Sequence, residues 1–286
     1  MKESNQGGRA FDIIGDVHGC VNTLEKLLKK MDYSKKNGVY QHKTRRAVFL
    51  GDIIDRGPHI REALHLVRDM VERGSARTVM GNHEYNAIGY CTRAHVSSHR
   101  EFLREHTPRN ERIIRETLEQ FANYGAEWND FLEWFKAMPL FIEETHFRVV
   151  HACWDNEIIT QVRQNYPDGV ITEDFLHASA DRKSFAGKVM NRLLRGTDMP
   201  LPNGITITSD DGYTRSFFRT KFWAVNPKTY DDIVFQPDQL PIPLRHQLIS
   251  PAERDRLLNY GPDEVPVFVG HYWLSGRPSP VRDNIG

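Results

Sequence analysis

The sequence predicts an α/β fold on three observations. Short apolar runs alternate with stretches of helical period through the first half of the chain. Three of these runs end in clusters that pair glycine with a polar side chain, at Gly15-Asp16, Gly51-Asp52 and Gly81-Asn82. A late apolar run over residues 265–269 ends the same way, at Gly270-His271.

Each element follows in order. Phe11-Asp12-Ile13-Ile14 reads as the first strand, with Asp12 an outward-facing polar residue. Val21, Leu24, Leu27, Leu28 and Met31 then fall at helical period, with Asn22 and Glu25 at capping-box spacing. A polar loop holding Asn37-Gly38 leads to the strand Ala47-Val48-Phe49-Leu50. Ile60, Ala63, Leu64, Val67, Met70 and Val71 form the apolar face of the next helix, announced by Pro58 and closed by Gly74. Arg77-Thr78-Val79-Met80 is a third strand. We expect one domain over residues 1–286 with a helical insertion around residues 99–137, where Gly125 reads as a stop. Within it, Trp128, Phe131, Trp134 and Phe135 read as a packing face and not as a base-stacking platform. A hairpin over residues 140–150 delivers His151, residues 155–195 read as helical, and residues 204–223 suggest a second hairpin around Asp210-Asp211-Gly212. Proline density from Pro227 to Pro251 points to a long irregular connection.

Composition bounds the function. Of 286 residues 39% are hydrophobic, enough for a sizeable core. Lys+Arg of 38 against Asp+Glu of 38 gives no net field to draw nucleic acid or an anionic membrane, so phosphate affinity has to come from a local site. Residues 1–10 lack an apolar signal region and no apolar run reaches spanning length, which predicts a soluble cytoplasmic protein without a membrane partner. Cys20, Cys91 and Cys153 lack C-x-x-C spacing and read as reduced thiols.

Parallel strands place their carboxyl ends on one edge of a sheet, so clusters far apart in sequence converge. Asp16, His18, Asp52, Asn82, His151 and His271 all stand at or just past strand ends. Carboxylate, imidazole and amide without thiolate suit two divalent ions about 3.5 to 4 Å apart, Mn²⁺, Fe or Zn²⁺, and this donor set does not choose among them. A metal-activated water is then the nucleophile. His83 follows Asn82 directly and, oriented by a carboxylate such as Asp55, can protonate a leaving oxygen. Arg56 offers a planar fork of donors to phosphate, with Arg195 a second substrate-binding candidate. Glu84 either favours the N-terminus of the following helix or touches substrate.

Gly15-Asp16-Val17-His18-Gly19, Gly51-Asp52-Ile53-Ile54-Asp55-Arg56-Gly57, Gly81-Asn82-His83-Glu84, His151-Ala152-Cys153 and Gly270-His271 resemble the ordered motifs of calcineurin-like metallophosphoesterases. They are most similar to the phosphoprotein phosphatase branch, including its bacterial and dinucleoside polyphosphatase members. The resemblance implies a four-layer α/β/β/α sandwich with a dinuclear site between its sheets. It implies Asp16, His18 and Asp52 as ligands of one metal, Asp52, Asn82, His151 and His271 as ligands of the other, Asp55 and His83 as the acid pair, and Arg56 as the phosphate clamp.

The chain departs from eukaryotic protein phosphatases in lacking a Ser-Ala-Pro-Asn-Tyr-Cys stretch. It also ends soon after His271, so that either it is cut short or the second sheet closes differently. Symmetrically cleaving dinucleoside tetraphosphatases carry Ala-Arg-Gly and Asn-His-Asp in these motifs, so Asp55-Arg56-Gly57 and Asn82-His83-Glu84 lean toward hydrolysis of phosphomonoesters, whether phosphoprotein or small phosphoester, although some bacterial relatives with the Asp-Arg-Gly form resemble asymmetric dinucleoside polyphosphatases. The alternatives are a dinucleoside polyphosphate hydrolase or phosphodiesterase and, in another class, a non-catalytic metal-binding interaction module.

Overall fold

Three apolar segments become parallel neighbours because the stretches between them return the chain to the same edge each time. The computed structural model describes residues 10–95, 100–208, 214–235, 240–274, 276–277 and 279–286. β1 (Ala10–Ile14) and α1 (Val21–Lys30) are followed by a small hairpin of β2 (Ser34–Lys36) and β3 (Val39–Gln41), then by β4 (Arg45–Phe49), α2 (Ile60–Glu72) and β5 (Ala76–Thr78). β4 lies between β1 and β5 and runs parallel to both, with Ile14 opposite Phe49 and Phe49 opposite Thr78. The three strand ends therefore stand side by side.

The chain continues through α3 (Asn82–Cys91), α4 (Pro108–Gln120) and α5 (Gly125–Lys136) to the hairpin of β6 (Phe141–Glu143) and β7 (Arg148–Val150). After α6 (Asn156–Asn165), α7 (Glu173–Ala178) and α8 (Phe185–Arg195) come β8 (Thr197–Pro200), β9 (Ile207–Thr208), β10 (Thr214–Arg215) and β11 (Phe217–Thr220). Three one-turn helices, α9 (Tyr230–Ile233), α10 (Ile242–Arg245) and α11 (Pro251–Arg254), occupy the proline-rich connection before β12 (Val267–Phe268). β7 is the centre of a second sheet, antiparallel to β6 and parallel to β12.

Period-two alternation decides what each sheet face buries. Val48, Leu50, Val79, Ile142 and Val149 form one cluster that draws on both three-stranded sheets, with Phe11, Ile13, Phe147 and Phe268 at its margin. Their neighbours Ala47, Phe49, Phe141 and Val150 belong instead to the main cluster, which includes Leu28 of α1, Leu64 of α2, Val162 of α6 and Leu193 of α8. Each sheet thus has one face on the other sheet and one on helices. A satellite cluster of Met199, Leu201, Phe218, Tyr230 and Ile233 holds β8, β11 and α9 together.

Several local expectations change. Asn37 and Gly38 are the turn of the β2–β3 hairpin, both left-handed at φ 51° and 83°, and not a loop. α1 starts at Val21 behind Cys20, which makes no side-chain cap, and Glu25 pairs with Lys35 at 2.9 Å instead of closing a capping box. Asp12 accepts from Tyr33 and Arg45 at 2.9 and 2.8 Å, so it is a paired acid rather than a solvated one. His99 lies outside the described residues, and residues 100–107 are not helical; α4 starts at Pro108, capped by the Thr107 hydroxyl. Gly125 opens α5 and does not close its predecessor, which ends at Gln120. Trp128, Phe131 and Phe135 are buried on α5, as a packing face requires. β9 and β10 flank the expected turn at Asp210-Asp211-Gly212, which itself lies outside the described residues.

Among the described residues no helix is long and apolar enough to cross a membrane. The outer edge of β12 is covered by the last residues: Val267 N–H donates to Asn284 C=O, Gly286 N–H to Val267 C=O and Val269 N–H to Gly286 C=O, at 3.0, 3.0 and 2.8 Å.

Candidate metal centre

The turn after β4 builds the centre. Gly51, at φ 86°, passes so close to the end of β5 that a Cβ there would lie 2.4 Å from the Gly81 nitrogen. The next residue, Asp52, is 2% exposed, and its Oδ1 accepts from His83 N–H at 2.9 Å. Its Oδ2 faces three imidazoles, with Nε2 of His151 at 3.4 Å, of His18 at 3.8 Å and of His83 at 3.9 Å. Burial opposes its ionisation, but the His151 and His83 charges outweigh that and hold the carboxyl well below the usual range.

Backbone carbonyls set the histidine tautomers, because a carbonyl can only accept. His18 Nδ1–H donates to Ile54 C=O at 2.8 Å, which turns a bare Nε2 inward, where it is buried without a hydrogen-bond partner. His151 Nδ1–H likewise donates to Leu50 C=O at 2.6 Å, leaving Nε2 at 3.1 Å from Asn82 Oδ1. His271 places Nδ1 at 2.6 Å from the same amide oxygen, and its buried Nε2 also lacks a partner. Asp16 Oδ1 accepts from His271 N–H at 3.2 Å, and Oδ2 is 3.9 Å from His18 Nε2. Burial and the Asp52 charge push the Asp16 carboxyl above its ordinary range.

Two groups of ligand atoms each close to within 4.8 Å, His18 with Asp52 and His83, and Asp52 with His151 and His271. Asp52 belongs to both. Orphaned imidazole nitrogens beside a buried carboxylate and an amide oxygen fit hard or borderline divalent cations. Distance groups His83 rather than Asp16 with His18 and Asp52, although Asp16 is in reach of His18.

His83 Nδ1 lies 2.5 Å from Asp55 Oδ2, and both side chains are buried. Thr117 of α4 fixes the acid, its hydroxyl donating to Asp55 Oδ1 at 2.5 Å and accepting Asp55 N–H at 3.1 Å. Burial would lower the His83 pKa, but the Asp52 charge and the Asp55 bond raise it above the ordinary value. Arg56 Nη2 lies 3.4 Å from His83 Nε2, and its guanidinium sits 4.6 Å from the exposed Trp273 ring. His18, Asp52, Asp55, Arg56 and His271 all have left-handed backbone, at φ 44°, 51°, 67°, 67° and 64°.

Arg195 stands apart from this cluster. Its Nη2 donates to Asn86 Oδ1 at 2.6 Å and its guanidinium lies 5.3 Å from the Tyr85 ring. Cys153 is fully buried and burial pushes its thiol up, whereas Cys20 is exposed; neither joins a ligand group.

Two residues of the site, Thr117 and Glu84, were not identified from sequence in these roles. Glu84 is fully buried and accepts backbone N–H from Ile53, Asp52 and Gly81 at 2.7, 2.8 and 3.0 Å. It clamps the Asp52 turn to the start of α3. Burial and the Asp52 charge push its pKa to about 7 against the pull of those donors. Its position three residues into a motif at a helix start was the available signal, since an acid there can fold back on orphan N–H groups.

Residues 10–184 match the sequence model of the calcineurin-like phosphoesterase family. Over 148 residues the chain is 33% identical to the asymmetrical bis(5'-nucleosyl)-tetraphosphatase PrpE of Oceanobacillus iheyensis, covering 50% of this chain and 54% of that one. The corresponding protein of Halalkalibacterium halodurans is 50% identical over 74 residues, 26% of this chain and 30% of its own. The chain therefore spans about half the length of the first relative and under a third of the second. Among solved structures, a protein serine/threonine phosphatase from Saccharomyces cerevisiae aligns with a TM-score of 0.42 at 16% identity, over 65% of this chain and 49% of that one. A cold-active protein tyrosine phosphatase of a psychrophilic Shewanella aligns at 0.41 and 19%, over 63% and 56%.

Proposed function

The chain belongs to the calcineurin-like phosphoesterase family, and from that premise we propose that it is a metal-dependent hydrolase of phosphoric ester or anhydride bonds. The observation that carries the reading is the position of Asp52, one buried carboxylate shared by two converging ligand groups. Two divalent cations, Mn²⁺ by preference, held by Asp16, His18 and Asp52 and by Asp52, Asn82, His151 and His271, would supply Lewis acidity and lower the pKa of an attacking water.

The chain's own residues do the rest. Arg56 presents its guanidinium to the oxygens of the phosphoryl group, a geometry suited to paired charge-assisted hydrogen bonds. Asp55, itself held by Thr117, binds His83 Nδ1 and leaves Nε2 directed at the site. From that atom His83 donates a proton to the departing oxygen. The Asp55 carboxylate bound to Nδ1 favours the protonated ring and so supports its carrying that proton.

Two substrate classes meet these requirements. The motif forms Asp55-Arg56-Gly57 and Asn82-His83-Glu84 favour a phosphomonoester. The activity named for the PrpE relatives favours a dinucleoside polyphosphate. We further assign residues 1–286 to a single domain and the chain to the cytoplasm, the latter supported by its three free cysteines.

The test is a substrate panel on chelator-stripped protein reloaded with Mn²⁺, Fe²⁺ or Zn²⁺. p-Nitrophenyl phosphate, a phosphopeptide and diadenosine tetraphosphate should separate the classes, with turnover only in the loaded protein. Absence of hydrolysis of all three at saturating metal would replace the enzyme by a non-catalytic metal-binding module.

A further inference from the structure

One turn along α3 from the metal centre, Tyr85 and Asn86 face a cavity of about 210 Å³. Its walls come from stretches distant in sequence, and they carry four arginines, Arg100, Arg104, Arg182 and Arg195, against one acid, Glu105. Glu105 is engaged with Arg100, at 3.8 Å. Arg104 and Arg195 hydrogen-bond to neutral amides, Arg104 Nη2 to Asn110 Oδ1 at 2.7 Å and Arg195 Nη2 to Asn86 Oδ1 at 2.6 Å.

Gathering like charges in a half-buried cleft is unfavourable unless something neutralises them. The cost is visible on Arg104, whose pKa is brought down to about 10 by burial and by the neighbouring Arg195 charge. Burial lowers Arg195 as well, and its charge reaches both Asp52 and His271, which places the cleft within electrostatic range of the metal centre. The missing element is an anion that extends from that centre.

We propose that the arginine-lined cavity binds the non-transferred phosphates of the substrate, so that the site takes a polyphosphate chain and not a lone phosphoryl group. This rests on the phosphohydrolase reading above and narrows its substrate class. Arg195 contacts the chain nearest the metals, and Arg104 and Arg182 hold the part beyond. Their guanidinium forks match phosphate oxygens better than an ammonium does.

The test has a binding arm and a kinetic arm. In the binding arm, tripolyphosphate and orthophosphate are titrated calorimetrically into metal-stripped protein, where the carboxylates of the metal centre repel anions and the cavity is reported alone. Tripolyphosphate should bind at least ten-fold tighter than orthophosphate. Arg104→Met should cost about ten-fold of that affinity, the loss of one charge-assisted contact, and Arg104→Lys should restore part of it. Arg182→Met, at an exposed position, gives the same reading if the Arg104 variant fails to fold.

In the kinetic arm, kcat/KM for diadenosine tetraphosphate should fall at least ten-fold more than that for p-nitrophenyl phosphate. Equal losses on both substrates, an unchanged tripolyphosphate affinity, or a selective loss on a phosphopeptide would each overturn the assignment. If the loaded wild-type chain hydrolyses nothing, the hydrolase reading fails by itself while the titrations still decide the cavity.

Discussion

Replacing Glu84 by glutamine or alanine tests how the Asp52 turn is held. In the native chain Oε2 accepts from Asp52 and Gly81 at 2.8 and 3.0 Å, and Oε1 accepts from Ile53 at 2.7 Å. A glutamine whose oxygen takes the Oε2 place keeps two of these bonds and sets its amide N–H against that of Ile53. One buried donor left unmet costs about 1–3 kcal/mol, so Glu84→Gln should lose stability by that amount, a fall in Tm on the order of 5 °C. Glu84→Ala orphans these three donors and the longer contact of Ile54 N–H, 3.4 Å from Oε1, and should lose at least about 3 kcal/mol. Urea unfolding followed by circular dichroism, on metal-stripped and Mn²⁺-loaded protein, measures both. Because the freed donors belong to the residues that carry Asp52 and lead into Asn82, metal affinity should fall with stability. An alanine variant within about 0.5 kcal/mol of the native chain, the usual scatter for an inconsequential surface change, would refute the clamp.

The other predictions concern the centre and the thiols. His83→Ala should keep its metals by elemental analysis yet lose roughly two or more orders of magnitude in kcat on substrates with poor leaving groups; normal turnover would take the proton-donor role from His83. Asp52→Asn should lower the metal stoichiometry itself, and an unchanged content would contradict a shared ligand. Native thiol titration should show one fast group, Cys20, with Cys153 and the half-buried Cys91 reacting only on unfolding, since burial raises both of their pKa values. Fast labelling of Cys153 would mean that the region beside His151 opens readily.

The convergence of Asp16, Asp52, Asn82, His151 and His271 was legible because it depends on strand direction and chain order, which apolar period and glycine placement report. What Glu84 does was not, because an acid at a helix start has the same sequence signature whether it meets solvent or bends back on a neighbouring turn. The β2–β3 hairpin escaped notice because three-residue strands leave too short a period to read, even with Asn37-Gly38 between them. The Asn22 and Glu25 pattern misled, since Glu25 found Lys35 across the hairpin, a tertiary partner invisible to local spacing. Arg195 was picked out beside Gly196, but its company of Arg104 and Arg182 comes from separated segments with no shared motif.

The left-handed backbone at five polar positions of the centre sets a trap for protein engineers. Holding a non-glycine residue there costs on the order of 1 kcal/mol each, whereas glycine adopts the same angles freely. Glycine at Asp52 or Asp55 would recover that cost only by leaving the buried His83 N–H or Thr117 hydroxyl unmet, at about 1–3 kcal/mol, and at any of the five it would remove a side chain of the centre. Hardening this scaffold calls for mutating the far faces of α1, α2 and α5 while these five codons stay fixed.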